Sequence, residues 1–227
     1  MKISGLQKLT LLDFPGKVAC TVFTPGCNLR CPFCHNASLV FSCADEIGEE
    51  RVLAFLNKRV GILDGMCVTG GEPLLQKDIA DFLRKVKALG YQIKLDTNGT
   101  FPDRLQPLLE ERLVDYVAMD IKAAPDNYNN ATGVVTDLAK IRRSVELLRQ
   151  SGVAHEFRTT TVKGIHTSDD FAAIAQWLQG EENYYIQQYK IADDMIGAPF
   201  ESFTKEELNA FADVVKQTVK TVGVRGE

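Results

Sequence analysis

The chain has 227 residues, of which 45% are hydrophobic and 25% charged, with a formal net charge of −4 at pH 7. This composition is typical of one globular α/β domain. The acidic balance argues against a nucleic-acid partner, and no apolar run reaches the roughly 18 residues that a membrane span needs. Because the first residues lead into no signal-peptide core, we expect a cytoplasmic protein.

Short apolar runs alternate with longer amphipathic stretches, which predicts six consecutive βα units. Strands are expected at residues 17–24, 65–69, 91–96, 114–121, 154–162 and 183–188. Helices are expected at 49–60, 76–89, 103–112, 136–150, 168–178 and 204–219. Ser168 and Thr204 are the predicted N-caps of the last two helices. Residues 123–133 and 193–199 read as loops, either plain surface connections or a lid or docking loop.

Six βα units in a row predict a parallel sheet covered by helices. The predicted fold is an α/β open partial (β/α)6 TIM-like barrel, and a doubly wound sheet is the alternative. One domain is expected over residues 1–227, with a lead-in at 1–16, the (β/α) core at 17–190 and a C-terminal loop and helix at 191–227. In such folds the reacting groups lie at the carboxyl ends of the strands. The sequences TPGC, TGGEP, DTNG and MDIK each follow or end a predicted strand.

Three of the six cysteines, Cys27, Cys31 and Cys34, form a CxxxCxxC motif. In a reducing cytosol such clustering indicates metal or redox chemistry. Three thiolates in one loop can bind one face of a cubane iron–sulfur cluster and leave one iron open. Structural zinc, with His35 as a fourth ligand, is an alternative. Cys20 and Cys67 read as small buried residues, and Cys43 receives no role.

The CxxxCxxC motif, with Phe33 before its last cysteine, resembles the radical SAM superfamily. DFPG at residues 13–16, CHN at 34–36, GGEP at 70–73 and DTNG at 96–99 are similar to motifs of the activating enzymes of glycyl radical enzymes. Among these, the chain most resembles the activating proteins of anaerobic ribonucleoside-triphosphate reductases. This resemblance covers nearly the whole chain, most strongly residues 10–125.

The resemblance implies a single [4Fe–4S] cluster on Cys27, Cys31 and Cys34, with S-adenosylmethionine on the open iron. One electron would break the sulfur–C5′ bond, and the 5′-deoxyadenosyl radical would take a hydrogen atom from a glycine Cα of a partner enzyme. No catalytic residue is expected beyond the cluster and cofactor site. The implied cofactor-binding residues are Phe33, Gly70, Gly71, Glu72, Asp96, Thr97, Asn98, Asp120 and Lys122.

Each of these residues also has a plainer interpretation. Gly70 and Gly71 would let backbone approach the methionine amino group, or simply form a βα turn. Asp120 and Lys122 share a strand face, where Lys122 would pair with the cofactor carboxylate or with Asp120 itself. Phe33 would line the adenine pocket or pack in the core. The GGE, DTN and DIK sequences are therefore open to either interpretation.

Other side chains carry weaker indications. Arg158 would contact cofactor or partner, or make an ordinary salt bridge. His155 and His166 are expected at the surface or in loops. Some activating enzymes carry a histidine near the end of the sixth strand that contacts the cofactor. In this chain the corresponding residues, 187–190, read QQYK and include no histidine, so the resemblance does not identify a cofactor ligand on this strand.

The expected protein partner is a glycyl radical enzyme, most closely an anaerobic ribonucleotide reductase. Between Cys34 and Gly70 the chain has two cysteines, Cys43 and Cys67, and Cys67 lies within a predicted strand. These are too few for further clusters, so flavodoxin or ferredoxin is the expected electron donor. Three alternatives stay open: an activating enzyme of a pyruvate formate-lyase-like enzyme, a radical SAM enzyme acting on a small heterocycle, and a non-enzymatic iron–sulfur or zinc protein.

Overall fold

The computed structural model describes residues 1–41 and 45–226; Cys43 lies outside these residues. The chain divides into two compact units. The first unit comprises Met1–Asn28, Ser38–Ala118 and Lys140–Ala154. The second unit comprises Leu29–Ala37, Met119–Ala139 and His155–Glu227. The prediction of one domain over residues 1–227 remains a prediction.

Strands and helices alternate along most of the chain. The strands are β1 (Gly5–Thr10), β2 (Ala19–Thr24), β3 (Gly65–Gly70), β4 (Gln92–Thr97), β5 (Tyr116–Asp120), β6 (Ala154–Thr161), β7 (Asn183–Gln188) and β8 (Thr221–Arg225). The helices are α1 (Ala37–Val40), α2 (Glu49–Asn57), α3 (Ile79–Ala88), α4 (Pro102–Glu110), α5 (Tyr128–Thr132), α6 (Leu138–Ser151), α7 (Ser168–Trp177) and α8 (Lys205–Val215). Among the described residues, no helix has the length and hydrophobicity that a membrane crossing requires.

The strands follow one another in the sheet in the order of the sequence. In the first unit β1 is antiparallel to β2, whereas β2, β3 and β4 are parallel. Thr24 at the end of β2 lies opposite Gly70 at the end of β3. In the second unit β6, β7 and β8 are parallel. Most residues of β2 and β3 are buried, which is why these two strands have a largely apolar sequence.

The six predicted strands and six predicted helices are all present, with ends displaced by a few residues. The structure adds β1, which is antiparallel and has three consecutive exposed residues, so that it lacks the alternation of a half-buried strand. It also adds β8 after the predicted C-terminal helix, and β8 has no fully buried residue.

The loop prediction for residues 123–133 is wrong in part. A 3₁₀ turn at Pro125–Asn127 leads into α5, and the segment is partly buried, with Asp126, Asn129 and Asn130 exposed. The side chains with little or no exposure are those of Ala123, Ala124, Tyr128, Ala131 and Thr132. The segment is rich in polar residues, which is why the sequence did not indicate the short helix that packs into the second unit.

The N-cap of α7 lies one residue before the predicted one. Thr167, not Ser168, is the N-cap: its side chain accepts from the backbone N–H of Asp170, whose carboxylate accepts from Thr167 N at 2.9 Å. Thr167 has an extended backbone, whereas Ser168 is already helical. The capping box predicted for α8, between Thr204 and Glu207, is confirmed.

Replacing Thr167 by alanine should lower the free energy of unfolding by about 1 kcal/mol, because the first turn of α7 loses its side-chain acceptor. Ser168→Ala is the matched control and should change stability much less. Urea denaturation followed by circular dichroism measures both. Equal losses in the two variants would contradict Thr167 as the cap.

Candidate active site

The three clustered cysteines lie in the loop that follows β2. Cys31 is buried, whereas Cys27 and Cys34 are partly exposed. None of the five cysteines in the described part of the chain forms a disulfide. The Cys34 N–H donates to the Cys31 carbonyl at 3.0 Å, which closes a turn between these two cysteines.

In the first unit, the GGE turn after β3 packs on the backbone that leads into Cys27. The Gly71 N–H donates to the Thr24 carbonyl at 2.9 Å, and the Glu72 N–H donates to the Gly26 carbonyl at 2.7 Å. A Cβ on Gly70 would lie 2.3 Å from Thr24 N, and one on Gly71 would lie 2.0 Å from the Gly26 oxygen. The two glycines are therefore required by close backbone packing on the cysteine loop.

In the second unit, two chain segments hold the rest of the cysteine loop. The Arg30 N–H donates to the Thr132 carbonyl at 2.8 Å, and the Gly197 N–H donates to the Pro32 carbonyl at 3.1 Å. A Cβ on Gly133 would lie 2.2 Å from the Arg30 oxygen, and a Cβ on Gly197 would lie 2.5 Å from the Pro32 oxygen. Segments 123–133 and 193–199, predicted as loops, thus both pack on the cysteine loop.

Glu72 is fully buried and ties the end of β3 to the end of β4. Its Oε1 accepts from Leu74 N at 3.0 Å and from the Thr97 hydroxyl at 2.8 Å. Its Oε2 accepts from Asn98 N at 2.7 Å. These bonds satisfy a buried carboxylate, which would otherwise be costly. They also fix the DTNG turn relative to the GGE turn.

The amide of Asn98 points to the cysteine loop. Its Nδ2 lies 3.0 Å from Asn28 Oδ1 and 3.8 Å from Cys27 Sγ. Its Oδ1 accepts from the backbone N–H and the hydroxyl of Thr100, at 3.0 and 2.6 Å. Asn28 Nδ2 in turn donates to the Thr100 hydroxyl at 2.9 Å. Asn98, predicted to contact the cofactor, is thus hydrogen-bonded to the residues around Cys27.

Sequence reasoning missed Lys94, a buried lysine in β4. Its ammonium pairs with Asp96 and lies 3.9 Å from Cys67 Sγ. Lys94 and Asp96 are two residues apart in a strand and therefore share a face. Polar residues alternate with Ile93 and Leu95 along this strand, so the pattern predicts a solvent-facing lysine and gives no sign of its burial. The predicted cofactor residue Asp96 thus already has one cationic partner.

The second unit contains an ion triad of Asp120 at the end of β5, Lys122 just after it, and Arg158 within β6. Lys122 Nζ lies 2.9 Å from Asp120 Oδ2, and Arg158 Nη2 lies 2.9 Å from Asp120 Oδ1. Burial alone would raise the pKa of Asp120, but Arg158 and Lys122 outweigh it and hold the pKa at about 2. Burial lowers the pKa of Lys122, yet Asp120 and the thiols of Cys31 and Cys34 raise it overall. The salt-bridge interpretation of Arg158 is confirmed, and Lys122 lies where it interacts electrostatically with two of the three motif cysteines.

Buried aromatic residues surround the same part of the second unit. Phe33 is buried, and its ring lies edge-on to His166 with centroids 5.9 Å apart. His166 is in a loop, as expected, but is buried rather than at the surface. Its Nε2 lies 2.8 Å from the Lys122 carbonyl, while Nδ1 accepts from Val162 N at 3.1 Å, which fixes the Nε2–H tautomer. His166 therefore positions the backbone of Lys122.

Tyr128 is a second residue that the sequence did not indicate. Its hydroxyl is fully buried and has no hydrogen bond of good geometry among the described residues. Its electrostatic neighbours include Lys122, Cys31 and Asp120. A buried hydroxyl in this setting would gain a partner from a bound polar group.

Comparisons with known proteins bear on these motifs. Residues 21–178 match the family model described as the radical SAM superfamily. A protein of Methanocaldococcus jannaschii named "Putative glycyl-radical enzyme activating enzyme MJ1227" is 31% identical over 98% of this chain and 95% of its own length. This chain is a radical SAM enzyme of the glycyl-radical-enzyme activating family.

Other relatives agree with this family. Pyruvate formate-lyase 1-activating enzyme of Escherichia coli K12 is 29% identical over 75% of this chain and 72% of its own length. The crystal structure of Streptococcus suis SuiB bound to S-adenosylmethionine has a TM-score of 0.69 at 12% identity, over 91% of this chain and 52% of SuiB. The chain thus spans about half the length of SuiB, and this likeness shows the fold alone. The fold is the radical SAM α/β fold with an open sheet of parallel strands, as predicted.

The cofactors of this radical SAM enzyme are a [4Fe–4S] cluster and S-adenosylmethionine. The donor set fits the cluster, because three thiols lie in one loop whose backbone is fixed by hydrogen bonds and glycine contacts. Among residues 1–41 and 45–226, no three His, Cys, Asp or Glu side chains are already grouped as a metal site. The choice of the three cysteines as ligands therefore rests on their spacing and on the family.

The ion triad of this radical SAM enzyme gives a testable stability effect. Arg158→Gln should lower the free energy of unfolding at pH 7 by about 1–3 kcal/mol, because a partly buried carboxylate loses a charged donor. The pKa of Asp120 is depressed in the folded state, so its contribution is present above the ordinary value of 3.8 and is lost as pH falls toward about 2. The difference between wild type and variant should therefore shrink below pH 4.

Urea denaturation at pH 7 and at successively lower pH measures this effect. Arg84→Gln is the matched control, since Arg84 pairs with Glu111 at 2.8 Å where both side chains are about half exposed. We expect a much smaller loss for this exposed pair. A loss for Arg158→Gln that stays constant down to pH 2 would contradict the role of Asp120.

Proposed function

We propose that this radical SAM enzyme binds its cluster through Cys27, Cys31 and Cys34. The CxxxCxxC spacing supports this assignment, as does the way the loop is held. Backbone contacts from the GGE turn fix its beginning, and contacts from Gly133 and Gly197 fix its later part. A loop fixed in this way can present thiolates without a large ordering cost when the cluster binds.

We assign S-adenosylmethionine to the residues at the strand ends. Lys122 would bind the carboxylate of the methionine moiety, and its raised pKa keeps it cationic for that purpose. Asp120, held ionised by Arg158, would orient Lys122. Phe33 would offer an apolar surface for adenine. The remaining proposed contacts are Gly70, Gly71, Glu72, Asp96, Thr97 and Asn98.

Glu72, Asp96 and Asn98 have hydrogen-bond or ionic partners within the first unit. Their proposed contribution is therefore to fix the turns whose backbone groups meet the cofactor. Backbone carbonyls exposed by the GGE turn would accept from the methionine amino group. This division keeps charged side chains satisfied while leaving backbone acceptors for the ligand.

We further propose that the enzyme generates a glycyl radical on an anaerobic (class III) ribonucleoside-triphosphate reductase. The match over 98% of the chain to a protein named as a glycyl-radical enzyme activating enzyme is the observation that carries the reaction class. When bound, the cofactors supply a one-electron cleavage of the sulfur–C5′ bond to methionine and a 5′-deoxyadenosyl radical, which becomes 5′-deoxyadenosine on taking a glycine Cα hydrogen. The DFPG, CHN, GGEP and DTNG motifs support a glycyl radical enzyme as partner, and the resemblance of the chain to the activating proteins of anaerobic reductases favours the reductase.

The electron would come from flavodoxin or ferredoxin, since the chain carries cysteines for one cluster. We place the reaction in the cytoplasm and in a single radical SAM domain, with residues 17–190 as its core. The protein's own side chains bind, orient and exclude water, while the cofactors carry the radical chemistry.

Anaerobic reconstitution tests the partner. The enzyme, S-adenosylmethionine and a reductant are incubated with an anaerobic ribonucleotide reductase or with a pyruvate formate-lyase, and glycyl radical is measured by electron paramagnetic resonance. We expect a glycyl doublet on the reductase and none on the formate-lyase. A doublet on the formate-lyase alone would overturn the choice of partner.

Activation of a pyruvate formate-lyase-like enzyme is the second candidate, favoured by the 29% identity to the Escherichia coli activating enzyme. The same experiment decides between the two. If neither partner gains a radical while 5′-deoxyadenosine still forms, a small heterocyclic substrate becomes the better hypothesis.

A further inference from the structure

We propose that Asn98 is a positioning residue that donates an N–H···S hydrogen bond to Cys27 and raises the reduction potential of the cluster. This inference rests on the proposed function, because it takes Cys27 as a cluster ligand. The amide Nδ2 lies 3.8 Å from Cys27 Sγ, within the range of a hydrogen bond to sulfur.

The orientation of the Asn98 amide follows from its other bonds. Oδ1 receives two donors, the backbone N–H and the hydroxyl of Thr100, so this end of the amide is an acceptor. Nδ2 faces Asn28 Oδ1, which is an acceptor because Asn28 Nδ2 is committed to the Thr100 hydroxyl. A flipped Asn98 amide would place N–H against N–H and oxygen against oxygen. The donor end therefore faces the sulfur.

The position of Asn98 is fixed as well as its orientation. The residue is 5% exposed and sits directly after β4. Its backbone N–H is held by the buried carboxylate of Glu72 at 2.7 Å. Glu72 also binds Thr97 and Leu74, so the donor is anchored to two strand ends rather than to a mobile loop. A donor anchored in this way needs little reorganisation when charge appears on the sulfur.

The expected effect follows from charge. Reduction adds one electron to a cluster whose thiolates are already negative, and a hydrogen bond to a ligand sulfur stabilises the more negative state. Hydrogen bonds to the sulfurs are among the factors that set iron–sulfur potentials. Because Asn98 is buried, the low local dielectric strengthens the electrostatic effect of its hydrogen bond on the sulfur. Asn98 should therefore make the cluster easier to reduce by a protein electron donor.

The test is a redox titration of the reconstituted holoenzyme, with the reduced cluster followed by electron paramagnetic resonance. Asn98→Ala removes the donor without adding charge. At the wild-type midpoint, the ratio of reduced to oxidised cluster should fall about tenfold in this variant, a shift of about 59 mV for a one-electron couple. Iron content and absorbance, measured first, should match those of wild type.

A second pair of variants separates the hydrogen bond from structure and charge. Asn98→Asp keeps the side-chain shape but replaces the donor with an oxygen. Asn28→Asp adds the same charge beside Cys27 while the Asn98 donor remains. We expect the potential of Asn98→Asp to fall below that of Asn28→Asp. Because both are near-isosteric, this comparison decides the question even if Asn98→Ala does not fold.

The outcomes are distinct. Cluster-loaded Asn98 variants with the wild-type midpoint, or equal midpoints for the two aspartate variants, would overturn this inference and leave the proposed function intact. Wild-type protein that binds no cluster and forms no 5′-deoxyadenosine would overturn the proposed function instead. Loss of cluster from the Asn98 variants alone would assign Asn98 a structural role and overturn the tuning of the potential.

Discussion

Cys31→Ala should bind no [4Fe–4S] cluster after anaerobic reconstitution and should form no 5′-deoxyadenosine from S-adenosylmethionine and dithionite. The proposed site has three protein thiolates, from Cys27, Cys31 and Cys34. Removing one leaves two thiolates, from Cys27 and Cys34, which cannot hold a cubane cluster in place. Iron should fall from about four atoms per chain to near zero. Iron analysis, visible absorbance and chromatography of the nucleoside measure the two losses.

Cys20→Ala is the matched control for that experiment. Cys20 lies inside β2, and burial raises the pKa of its thiol to about 12. The thiol is therefore protonated near pH 7 and is no metal ligand. Cys20→Ala should keep cluster and cleavage, with a stability loss of about 1 kcal/mol from the small cavity. Cleavage retained in Cys31→Ala would refute the assignment of the cluster ligands.

Gly71→Ala should destabilise the protein by about 3 kcal/mol or more. A Cβ at this position would lie 2.0 Å from the oxygen and 2.6 Å from the carbonyl carbon of Gly26. Both are backbone atoms, so neither can move as a flexible side chain would, and overpacking of this kind is costly. Gly71 does not have a positive φ, so the effect is steric and not conformational. Urea denaturation of the cofactor-free protein measures it.

Gly48→Ala provides the matched control for Gly71. Gly48 precedes α2 with a φ of −60°, and no heavy atom lies within 4 Å of a Cβ built there. Its replacement should change stability by a few tenths of a kcal/mol. Because no S-adenosylmethionine is bound in the cofactor-free protein, a loss of stability there reports only the packing of Gly71 on the cysteine loop. A Gly71→Ala variant as stable as wild type, but unable to bind the cofactor, would show that ligand approach alone requires the glycine.

Local sequence features predicted most of the fold. Strands such as β2 and β3 are mostly apolar because most of their residues are buried, and amphipathic helices such as α3 carry an apolar stripe. Signals weaken where an element is half exposed. β1 and β8 were missed because their side chains face solvent on at least one side. α5 was missed because its five residues are too few for a periodic pattern.

The candidate site also has features that the sequence reveals and features that only the structure reveals. The cysteine spacing and the strand-end motifs are local and were visible in the sequence. The partners of those residues depend on contacts between distant segments. No pattern near Lys94 indicates that Asp96 pairs with this lysine and not with the cofactor. Likewise, no residue near Gly197 indicates that its backbone packs closely on Pro32. Glycines at 70 and 71 were predicted to favour ligand approach, and the structure adds a packing requirement that the sequence alone does not express.

The contacts of the cysteine loop also constrain the order of events during synthesis. Its carbonyls at Arg30 and Pro32 meet Gly133 and Gly197, which leave the ribosome long after the cysteines themselves. Until those segments emerge, the loop lacks the contacts that fix its shape. Contacts of such wide sequence separation form late in folding. Iron–sulfur loading in this enzyme should therefore follow translation of nearly the whole chain, and a nascent chain that ends before Gly197 should acquire cluster poorly.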